Sequence, residues 1–595
     1  MDPQERDERF PSAKVFCNPK LLTTLQNSPF RSSNDSKSLV DMELKMDPED
    51  VLELFQSFPD EPSRDQYNEF VDMVFEPEAS SKRLVRNATP MDFNLKPPSF
   101  LNRLQEPNEE LTAFAIDLKM RWVSLCREFV FGADNEFAKR SSFIPLPFQF
   151  FVPGGRFREC FYWDTLWIVK GLIACDMLES AKAAVRNLFY LVSCIGFVPN
   201  GNRVYFLNRT QPPLLTEAVK VVYDAIDSAS ERVEWLEEAV PILDKESSWI
   251  HEKRSLSSHH PGKGFENRLL SLYYVSTHHA RPESFAEDSL SLHRRQQRCT
   301  PSDDDSPSSV FQNLAAAAES GWDFSSRWFP SADERVVENT QICSIVPVCL
   351  NSILLKAEKD LSSFHELLAN HLRPPPDELS DSYGEYVDKF ADHKKHLELS
   401  SHYKQLATRR EADMMDLLWD KGTGFWFDYD IKSSVHSSVV SCAGLMPLWA
   451  GCNEKKWTAS DAKRLVAFVS DHSGLLQNGG LSCTTQVSKE QWDFPNSWPP
   501  LIDLVVEGMQ RLGERFPTSQ GRKIAQTIAS RFLETAWRGW REDNVMHEKY
   551  DSRYKTGKMG VGGEYAPQVG FGWTNGSILR LLCDYAGTFN DIIAF

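Results

Sequence analysis

Residues 153–164, PGGRFRECFYWD, combine two glycines, two arginines, two acidic residues and four aromatic residues within twelve positions. Such a stretch is too polar for a buried strand and too aromatic for a solvated loop. A sugar ring has apolar C–H faces that lie against aromatic rings, and a rim of hydroxyls that bind arginine and carboxylate groups. The stretch therefore indicates a carbohydrate pocket with carboxylates close at hand.

Five further stretches share this chemistry, because each combines a carboxylate or an arginine with aromatic or small residues. They are PNGNRVYFLNRTQPP (199–213), RPESFAED (281–288), ESGWDFSSRW (319–328), QWDFPNSWPP (491–500), and HEKYD (547–551) together with GVGGEYAPQVGFGWTNG (560–576). A structural tryptophan beside a surface ion pair explains any single stretch equally well. Six stretches of one chemical kind in one chain favour a shared pocket.

Phosphate binding is the alternative reading of stretches rich in arginine and glycine. GKMGVGGE, residues 557–564, does not match G-x-x-x-x-G-K-[ST], and no G-x-G-x-x-G follows a strand. The histidine pairs at 259–260 and 278–279 lack further ligands at metal spacing, so we expect no metal site.

Amphipathic helices must position these stretches. Apolar residues recur at three- and four-residue spacing in 171–195, and the same pattern predicts helices over 110–130, 214–244, 341–371, 386–420, 461–471, 500–513 and 519–539. Clear period-two strands are nearly absent, which predicts an all-α chain. Polar surface insertions are expected near 297–309 and 373–386.

Charge and hydropathy exclude several classes of protein. The 595 residues carry a formal net charge of −18, which repels phosphate backbones and argues against nucleic acid as a partner. No apolar run is long enough to span a membrane, and the first thirty residues are charged where a signal peptide is apolar. As the sequence stands we expect a cytoplasmic protein; a missing leader would make it extracellular.

The polar stretches resemble those of the trehalases, which hydrolyse the α,α-1,1 bond between two glucoses. PGGRFRECFYWD is similar to the first signature of that family and QWDFPNSWPP to the second. RTQPP, RPES, ESGWDFSSRW, EKYD and GGEY also follow in the family's order, and the resemblance runs from about residue 35 to about residue 582. It implies a 35–595 catalytic domain behind a segment, 1–34, that we expect to be poorly ordered in part.

The resemblance implies an (α/α)6 toroid that inverts the configuration at the anomeric carbon and needs neither metal nor cofactor. It assigns Asp323 as the general acid and Glu548 as the general base. Inversion requires the two carboxyl groups to stand about 6.5–9.5 Å apart, with a water between the base and the sugar. The acid must also stay protonated near neutral pH, which burial beside Trp322 would favour.

Ten further positions match residues that contact the sugar in similar enzymes. They are Arg156, Trp163, Asp164, Asn200, Arg209, Gln211, Arg281, Glu283, Gly321 and Glu564. The glycines before Glu564 are expected to form a flap. Departures from the family pattern at Phe161, Leu166, Ser497 and Val561 remove no charge from the site. Trehalose is the expected small-molecule partner, and a monomer or small homo-oligomer the expected state.

Overall fold

The computed structural model describes residues 3–76, 84–106, 108–130, 136–262, 264–298, 306–329, 336–373 and 383–593. Most of these residues are helical. The α-helices are α1 (Pro3–Arg9), α2 (Ala13–Phe16), α3 (Pro19–Gln26), α4 (Lys37–Val40), α5 (Pro48–Gln56), α6 (Arg64–Val74), α7 (Glu109–Leu125), α8 (Glu136–Lys139), α9 (Asp164–Ala174), α10 (Leu178–Ile195), α11 (Leu215–Ala225), α12 (Ala229–Lys253), α13 (Leu256–His259), α14 (Phe285–Arg298), α15 (Pro307–Ser320), α16 (Val348–His371), α17 (Tyr383–Leu417), α18 (Met446–Trp449), α19 (Ala459–Ala467), α20 (Pro499–Arg515), α21 (Gly521–Asp543) and α22 (Gly572–Ile593).

The strands are short, and all their pairings are antiparallel. They are β1 (Glu43–Leu44), β2 (Phe75–Glu76), β3 (Val85–Asn87), β4 (Cys126–Phe129), β5 (Phe150–Phe151), β6 (Ile345–Val346), β7 (Trp419–Asp420), β8 (Phe425–Trp426), β9 (Tyr429–Asp430), β10 (Val435–His436), β11 (Leu476–Gln477), β12 (Gly480–Leu481), β13 (Asn496–Ser497) and β14 (Tyr550–Asp551). Six small sheets have the orders β1-β2, β3-β4-β5, β10-β9-β6, β7-β8, β11-β12 and β13-β14. In the last, Ser497 lies opposite Tyr550, which joins the 491–500 loop to the 547–551 loop.

Six helices form a closed inner ring. Going round the ring, α9 packs on α11, α11 on α16, α16 on α18, α18 on α20, α20 on α22, and α22 again on α9. An outer layer surrounds the ring: α7 packs on α22, α10 on α9 and α11, α12 on α11 and α16, α17 on α16, and α21 on α20 and α22. This is an (α/α)6 toroid, which confirms the predicted all-α fold class.

The inner helices differ from the outer ones in the pattern of burial. Every residue of α9 except Ile173 is buried, as expected for a helix enclosed on all sides. This enclosure buries Lys170, whose ammonium lies 2.7 Å from the carboxylate of Asp503 on α20. A buried charge needs such a partner.

Two glycines allow α9 and α22 to approach closely. A Cβ atom at Gly576 would lie 1.9 Å from the carbonyl oxygen of Trp167, and one at Gly171 would lie 2.6 Å from the Cα of Gly576. Only glycine fits at such a contact between helix backbones. Because the site loops precede these helices, the contact also sets the distance between the loops.

Three of the predicted helices are wrong in extent. The 171–195 segment is the end of α9 and the whole of α10, separated by Asp176 in the left-handed conformation (φ 62°), where its carboxylate accepts a 2.9 Å hydrogen bond from the Ser99 backbone N–H. The 214–244 segment is α11 and α12, and Ser228 caps the start of α12. The 341–371 helix begins only at Val348.

The other predicted helices are confirmed to within a few residues at most ends, and 461–471 is α19 followed by a π-helical turn over Phe468–His472. Helices α14, α15 and α22 were not predicted, because their sequences lie beside or inside the motif stretches. Both predicted insertions lie partly outside the described residues, at 299–305 and 374–382.

The segment before residue 35 contains three helices, α1 to α3. Val15, Phe16 and Leu25 are buried in the same hydrophobic core as the ring helices. The division of the chain at residue 35 stays a prediction. No helix among the described residues is long and apolar enough to cross a membrane.

Candidate active site

One cavity of about 760 Å³ gathers all twelve residues that the sequence singled out for the site. Asp323, Glu548 and the ten predicted sugar contacts line it: Arg156, Trp163, Asp164, Asn200, Arg209, Gln211, Arg281, Glu283, Gly321 and Glu564. The roles of the twelve residues stay predictions.

The cavity lies at one mouth of the ring, since most of its lining comes from loops that lead into inner helices. Trp163 and Asp164 stand at the start of α9, while Arg209 and Gln211 precede α11. The 491–500 loop leads into α20, and Glu564 precedes α22. Loops distant in sequence therefore meet because their helices are neighbours in the ring.

Asp323 follows α15 in a tightly anchored loop. Gly321 ends the helix with a left-handed φ of 73°, and a Cβ there would lie 2.8 Å from the Trp163 ring. The Asp493 carboxylate accepts hydrogen bonds from the Ser326 N–H at 2.9 Å and from the Ser325 and Ser326 hydroxyls at 3.0 and 2.9 Å. The second motif stretch thus fixes the loop that carries the predicted acid.

The Glu548 carboxylate accepts one hydrogen bond at each oxygen. The Tyr565 hydroxyl donates to Oε1 at 2.8 Å, and the Gln568 backbone N–H donates to Oε2 at 3.1 Å. The Trp573 indole N–H donates to the Glu548 carbonyl at 3.0 Å. The predicted base is thereby oriented by three residues of the 560–576 stretch.

The three predicted arginines each have a carboxylate partner. Arg281 makes a two-pronged contact with Asp288, at 2.6 and 3.0 Å, and its guanidinium lies 3.6 Å from Glu564. Arg209 pairs with Glu283. Pairs of this geometry are rigid and preorganised.

The third arginine, Arg156, donates to Asp35 at 2.6 Å, and its guanidinium lies 4.8 Å from the centre of the Tyr565 ring. Asp35 opens the DSKSLVD stretch at which the resemblance began. The N-terminal stretch therefore closes one wall of the cavity.

Five buried polar atoms of the lining have no hydrogen-bond partner among the described residues. They are Nε of Arg156, Nε of Arg209, Oδ1 of Asp164, Oε2 of Glu283 and Nε1 of Trp492. Unpaired buried polar groups are costly and need an explanation. Donors and acceptors in these positions are suited to the hydroxyl rim of a sugar.

The surroundings raise the pKa of Asp323 to about 6. Removal from solvent is the main cause, Arg281 and Arg209 oppose it, and the negative charge of Glu548 adds to it. The carboxyl is therefore protonated in mildly acidic solution and half protonated near pH 6, below the neutral range that the sequence led us to expect.

Burial also raises the pKa of Glu548, whose side chain is 1% exposed. Lys549 is the foremost opposing influence, followed by the hydrogen bonds from Gln568 and Tyr565. Burial therefore raises the pKa of both carboxyl groups, whereas the groups that oppose the rise differ: Arg281 and Arg209 at Asp323, Lys549 at Glu548.

Two further carboxyl groups in the cavity are shifted in the same direction. Burial raises the pKa of Asp164 well above its usual range, and Glu548 adds to this effect. Partial burial raises the pKa of Glu564 as well, with Arg281 opposing and Asp288 adding. The cavity therefore concentrates weakly solvated carboxyl groups.

Aromatic rings form the apolar part of the cavity. The Trp492 and Trp498 rings stack at 3.8 Å with an angle of 3° between their planes, and Trp163 and Trp573 pack against Trp492 at 5.7 and 6.5 Å. All four line the cavity. Flat aromatic rings beside guanidinium groups match the C–H faces and hydroxyl rims of sugars.

Several lining residues were not among those predicted from the sequence. Tyr565 and Phe571 lie in the quoted 560–576 stretch, and Trp492 and Trp498 in the quoted 491–500 stretch, so their motifs could have indicated them. Lys37 lies in DSKSLVD; it bonds to Glu159 at 2.8 Å and also lines the cavity.

The four departures from the family pattern have different surroundings. Phe161 lines the cavity and packs against Phe157 and Phe206. Leu166 and Ser497 are buried, whereas Val561 is 59% exposed. Within the described ranges, no group of three or more His, Cys, Asp or Glu side chains is placed to hold a metal ion.

Comparisons with known proteins agree with this architecture. The family model described as Trehalase matches residues 31–586. A trehalase from Bombyx mori is 32% identical over 97% of this chain and 92% of its own, and one from Homo sapiens is 32% identical over 96% and 89%. The solved structure of neutral trehalase Nth1 from Saccharomyces cerevisiae is 25% identical, covers 73% of each chain and superposes with a TM-score of 0.55. Since the family model and these relatives extend over nearly the whole sequence, the chain belongs to the trehalase family.

Proposed function

We propose that this protein hydrolyses α,α-trehalose with water to one α-glucose and one β-glucose, with Asp323 as general acid and Glu548 as general base. Membership of the trehalase family supports the substrate and the reaction class. The observation that supports the roles is that both carboxyl groups line one cavity and have different surroundings.

In this reaction Asp323 donates its proton to the glycosidic oxygen as the bond to the anomeric carbon breaks. Glu548 accepts a proton from a water that attacks that carbon from the opposite face, which inverts its configuration. The leaving glucose keeps its α-configuration, and the attacked glucose becomes β. The separation of about 6.5–9.5 Å between the two carboxyl groups remains part of the proposal.

The rest of the lining serves to bind the two sugars and to hold the carboxyl groups. The arginine pairs, Arg209 with Glu283 and Arg281 with Asp288, present fixed donors to hydroxyls. Trp163 and Trp492 offer faces for the apolar sides of the rings. A closed aromatic wall also keeps bulk water from the reacting carbon.

The test is to follow the first-formed glucose anomers from trehalose by proton NMR, before mutarotation mixes them. Equal amounts of α- and β-glucose are expected. Asp323→Asn and Glu548→Gln should each lower turnover about a hundredfold or more, as is typical when a general acid or base is lost. Asp227→Asn and Glu237→Gln, at exposed positions, are the matched controls and should leave turnover unchanged.

Release of α-glucose alone would show retention and refute the proposed pair. Wild-type turnover in either site variant would reject that residue's role. Glucose release from maltose but not from trehalose would show that the substrate is an α-glucoside other than trehalose. The absence of a metal or cofactor requirement, a cytoplasmic location and a monomeric or small homo-oligomeric state remain predictions from the sequence.

A further inference from the structure

Lys549 is a buried lysine beside the predicted base that the proposed reaction does not use. Its side chain is fully buried, and among the described residues no carboxylate lies within ion-pair distance of its ammonium. Burying an ammonium without a counter-charge lowers the stability of the fold, so the position of Lys549 points to a functional role. Because Lys549 directly follows Glu548, this role belongs to the candidate active site.

The ammonium of Lys549 binds two separate parts of the cavity wall. Nζ donates to the Gln491 side-chain oxygen at 2.8 Å and to the Gly562 carbonyl at 3.0 Å, and it lies 5.1 Å from the Trp498 ring centre. Gly562 belongs to residues 560–563, which we call the flap. Lys549 therefore holds the flap against the second motif stretch.

Gln491 continues the connection to the predicted acid. Its side-chain N–H donates to the Asp323 carbonyl at 2.6 Å, while its side-chain oxygen accepts from Lys549. One amide thus joins the loop of Asp323 to the residue that follows Glu548.

Asn496 holds the flap at a second point. Its side chain donates to the Val561 carbonyl at 2.7 Å and accepts from the Val561 N–H at 2.9 Å, and it also donates to the Gln491 carbonyl at 2.9 Å. The flap backbone is packed tightly here, since a Cβ at Gly563 would lie 2.7 Å from the Gln491 side-chain oxygen. Flap, acid loop and base loop therefore share one hydrogen-bond network.

We propose that Lys549 is a positioning residue: its ammonium ties the flap to Gln491, and through Gln491 to the loop of Asp323, while placing a positive charge beside Glu548. The inference rests on the proposed hydrolysis of trehalose. It assigns to Lys549 no contact with the substrate. Its effect is on the geometry of the two carboxyl groups and on the ionisation of the base.

The charge and the bridge can be separated with two variants. Lys549→Met removes both, whereas Gln491→Met breaks the bridge and keeps the charge. Misplacing the acid relative to the base should lower kcat by up to about a hundredfold in each variant. Only Lys549→Met should also move the acidic limb of the kcat/KM profile to higher pH, because Glu548 loses its foremost favourable charge.

The charged and titratable groups around Glu548 all affect the pH profile. These groups are Arg156, Asp164, Asp323, Lys549 and Tyr565. Lys549→Met keeps all of these groups except Lys549 itself, and Gln491→Met keeps all five. A shift confined to Lys549→Met is therefore assigned to its charge. Lys549→Arg should restore the acidic limb and part of the turnover.

Lys182→Met is the control, since Lys182 is also largely buried but pairs with Glu179 and Glu231 away from the cavity. It should leave kcat and the pH profile unchanged. Wild-type kcat and pH profile in folded Lys549→Met would overturn the inference. If Lys549→Met does not fold, Gln491→Met decides the outcome. A wild-type kcat in Gln491→Met overturns the proposed bridge, and a 10-fold or greater loss of kcat supports it.

Failure of the inference is distinguishable from failure of the proposed function. If the wild-type protein releases no glucose from trehalose, the proposed function fails. If the wild type is active and the variants match it, only the role of Lys549 fails.

Discussion

Asp323 and Glu548 are two carboxyl groups that line one cavity but have different surroundings. The Glu548 oxygens each accept a hydrogen bond, from Tyr565 and Gln568, which favours the ionised form. Asp323 is fixed through its backbone carbonyl by Gln491. Its pKa is raised to about 6 because burial outweighs the effect of Arg281. Burial raises the pKa of both groups, and at Glu548 the charge of Lys549 and the two hydrogen bonds limit the rise.

The pH dependence of the reaction follows from these two shifts. The base must be ionised, so kcat/KM should rise with pH through the pKa of Glu548, which lies above its ordinary 4.5. The acid must be protonated, so kcat/KM should fall as pH rises through about 6. We expect a bell-shaped profile for trehalose with an optimum in mildly acidic solution.

The residual activity of Asp323→Asn provides the internal check on this profile. It should lack the alkaline limb and keep the acidic one, because only the acid has been removed. A wild-type rate that keeps rising through neutral pH would contradict the assignment of Asp323.

At the scale of single residues, the family resemblance predicted which side chains meet, and the cavity brings all twelve together. It did not indicate the partners that orient them. Tyr565 lies in the GGEY motif, but the motif does not indicate that its hydroxyl donates to Glu548. Lys37 lines the cavity because the N-terminal stretch folds back onto it. Such a long-range contact leaves no pattern in the local sequence.

At the scale of elements, the contact between α9 and α22 gives a sharp test. Gly576→Ala would place a Cβ 1.9 Å from the Trp167 carbonyl oxygen, so the helices must separate. Overpacking of this kind costs about 1–3 kcal/mol of stability. We expect a lower thermal unfolding midpoint at a fixed scan rate, and lower turnover because the loops before both helices shift.

Gly587→Ala on the same helix is the matched control. Its Cβ would meet only a Leu104 methyl group at 3.7 Å. Alanine is the better helix former by about 0.5–1 kcal/mol, so this variant should be neutral or slightly stabilised. Equal unfolding midpoints for the two variants would show that the helices have room to separate.

The helix boundaries show what periodicity can and cannot predict. It located the long outer helices α17 and α21 well, since each has one apolar face. It joined α9 to α10 because the apolar pattern continues across Asp176, whose left-handed backbone depends on a contact with Ser99. It missed α22 because the start of that helix lies inside the 560–576 stretch.

At the scale of the whole molecule, ring closure is the feature that local sequence does not indicate. The pairing of α22 with α9 joins segments about four hundred residues apart in sequence, and it brings the 560–576 stretch beside the 153–164 stretch. The family resemblance implied this topology. Residue patterns alone indicated only many helices and many polar loops.

A cavity lined with weakly solvated carboxyl groups should lower the stability of the whole molecule, and Asp164 tests this. Asp164 is buried, one of its oxygens has no partner among the described residues, and its pKa is raised well above the ordinary 3.8. A carboxyl whose folded-state pKa is raised stabilises the fold only while protonated. Its contribution is complete below the unfolded-state pKa and is lost as pH rises toward the folded-state pKa.

Asp164→Asn removes the titration and keeps the shape of the side chain. The variant should therefore inactivate more slowly on heating than the wild type at neutral pH, and the difference should shrink to nothing as pH falls below about 4. Turnover should fall about tenfold or more, since Asp164 is a predicted sugar contact, in line with the usual conflict between stability and activity. The measurement is the half-life of folded protein, by circular dichroism at one elevated temperature, across that pH range. A difference in half-life that does not change with pH would mean that the ionised carboxylate of Asp164 is not what destabilises the fold.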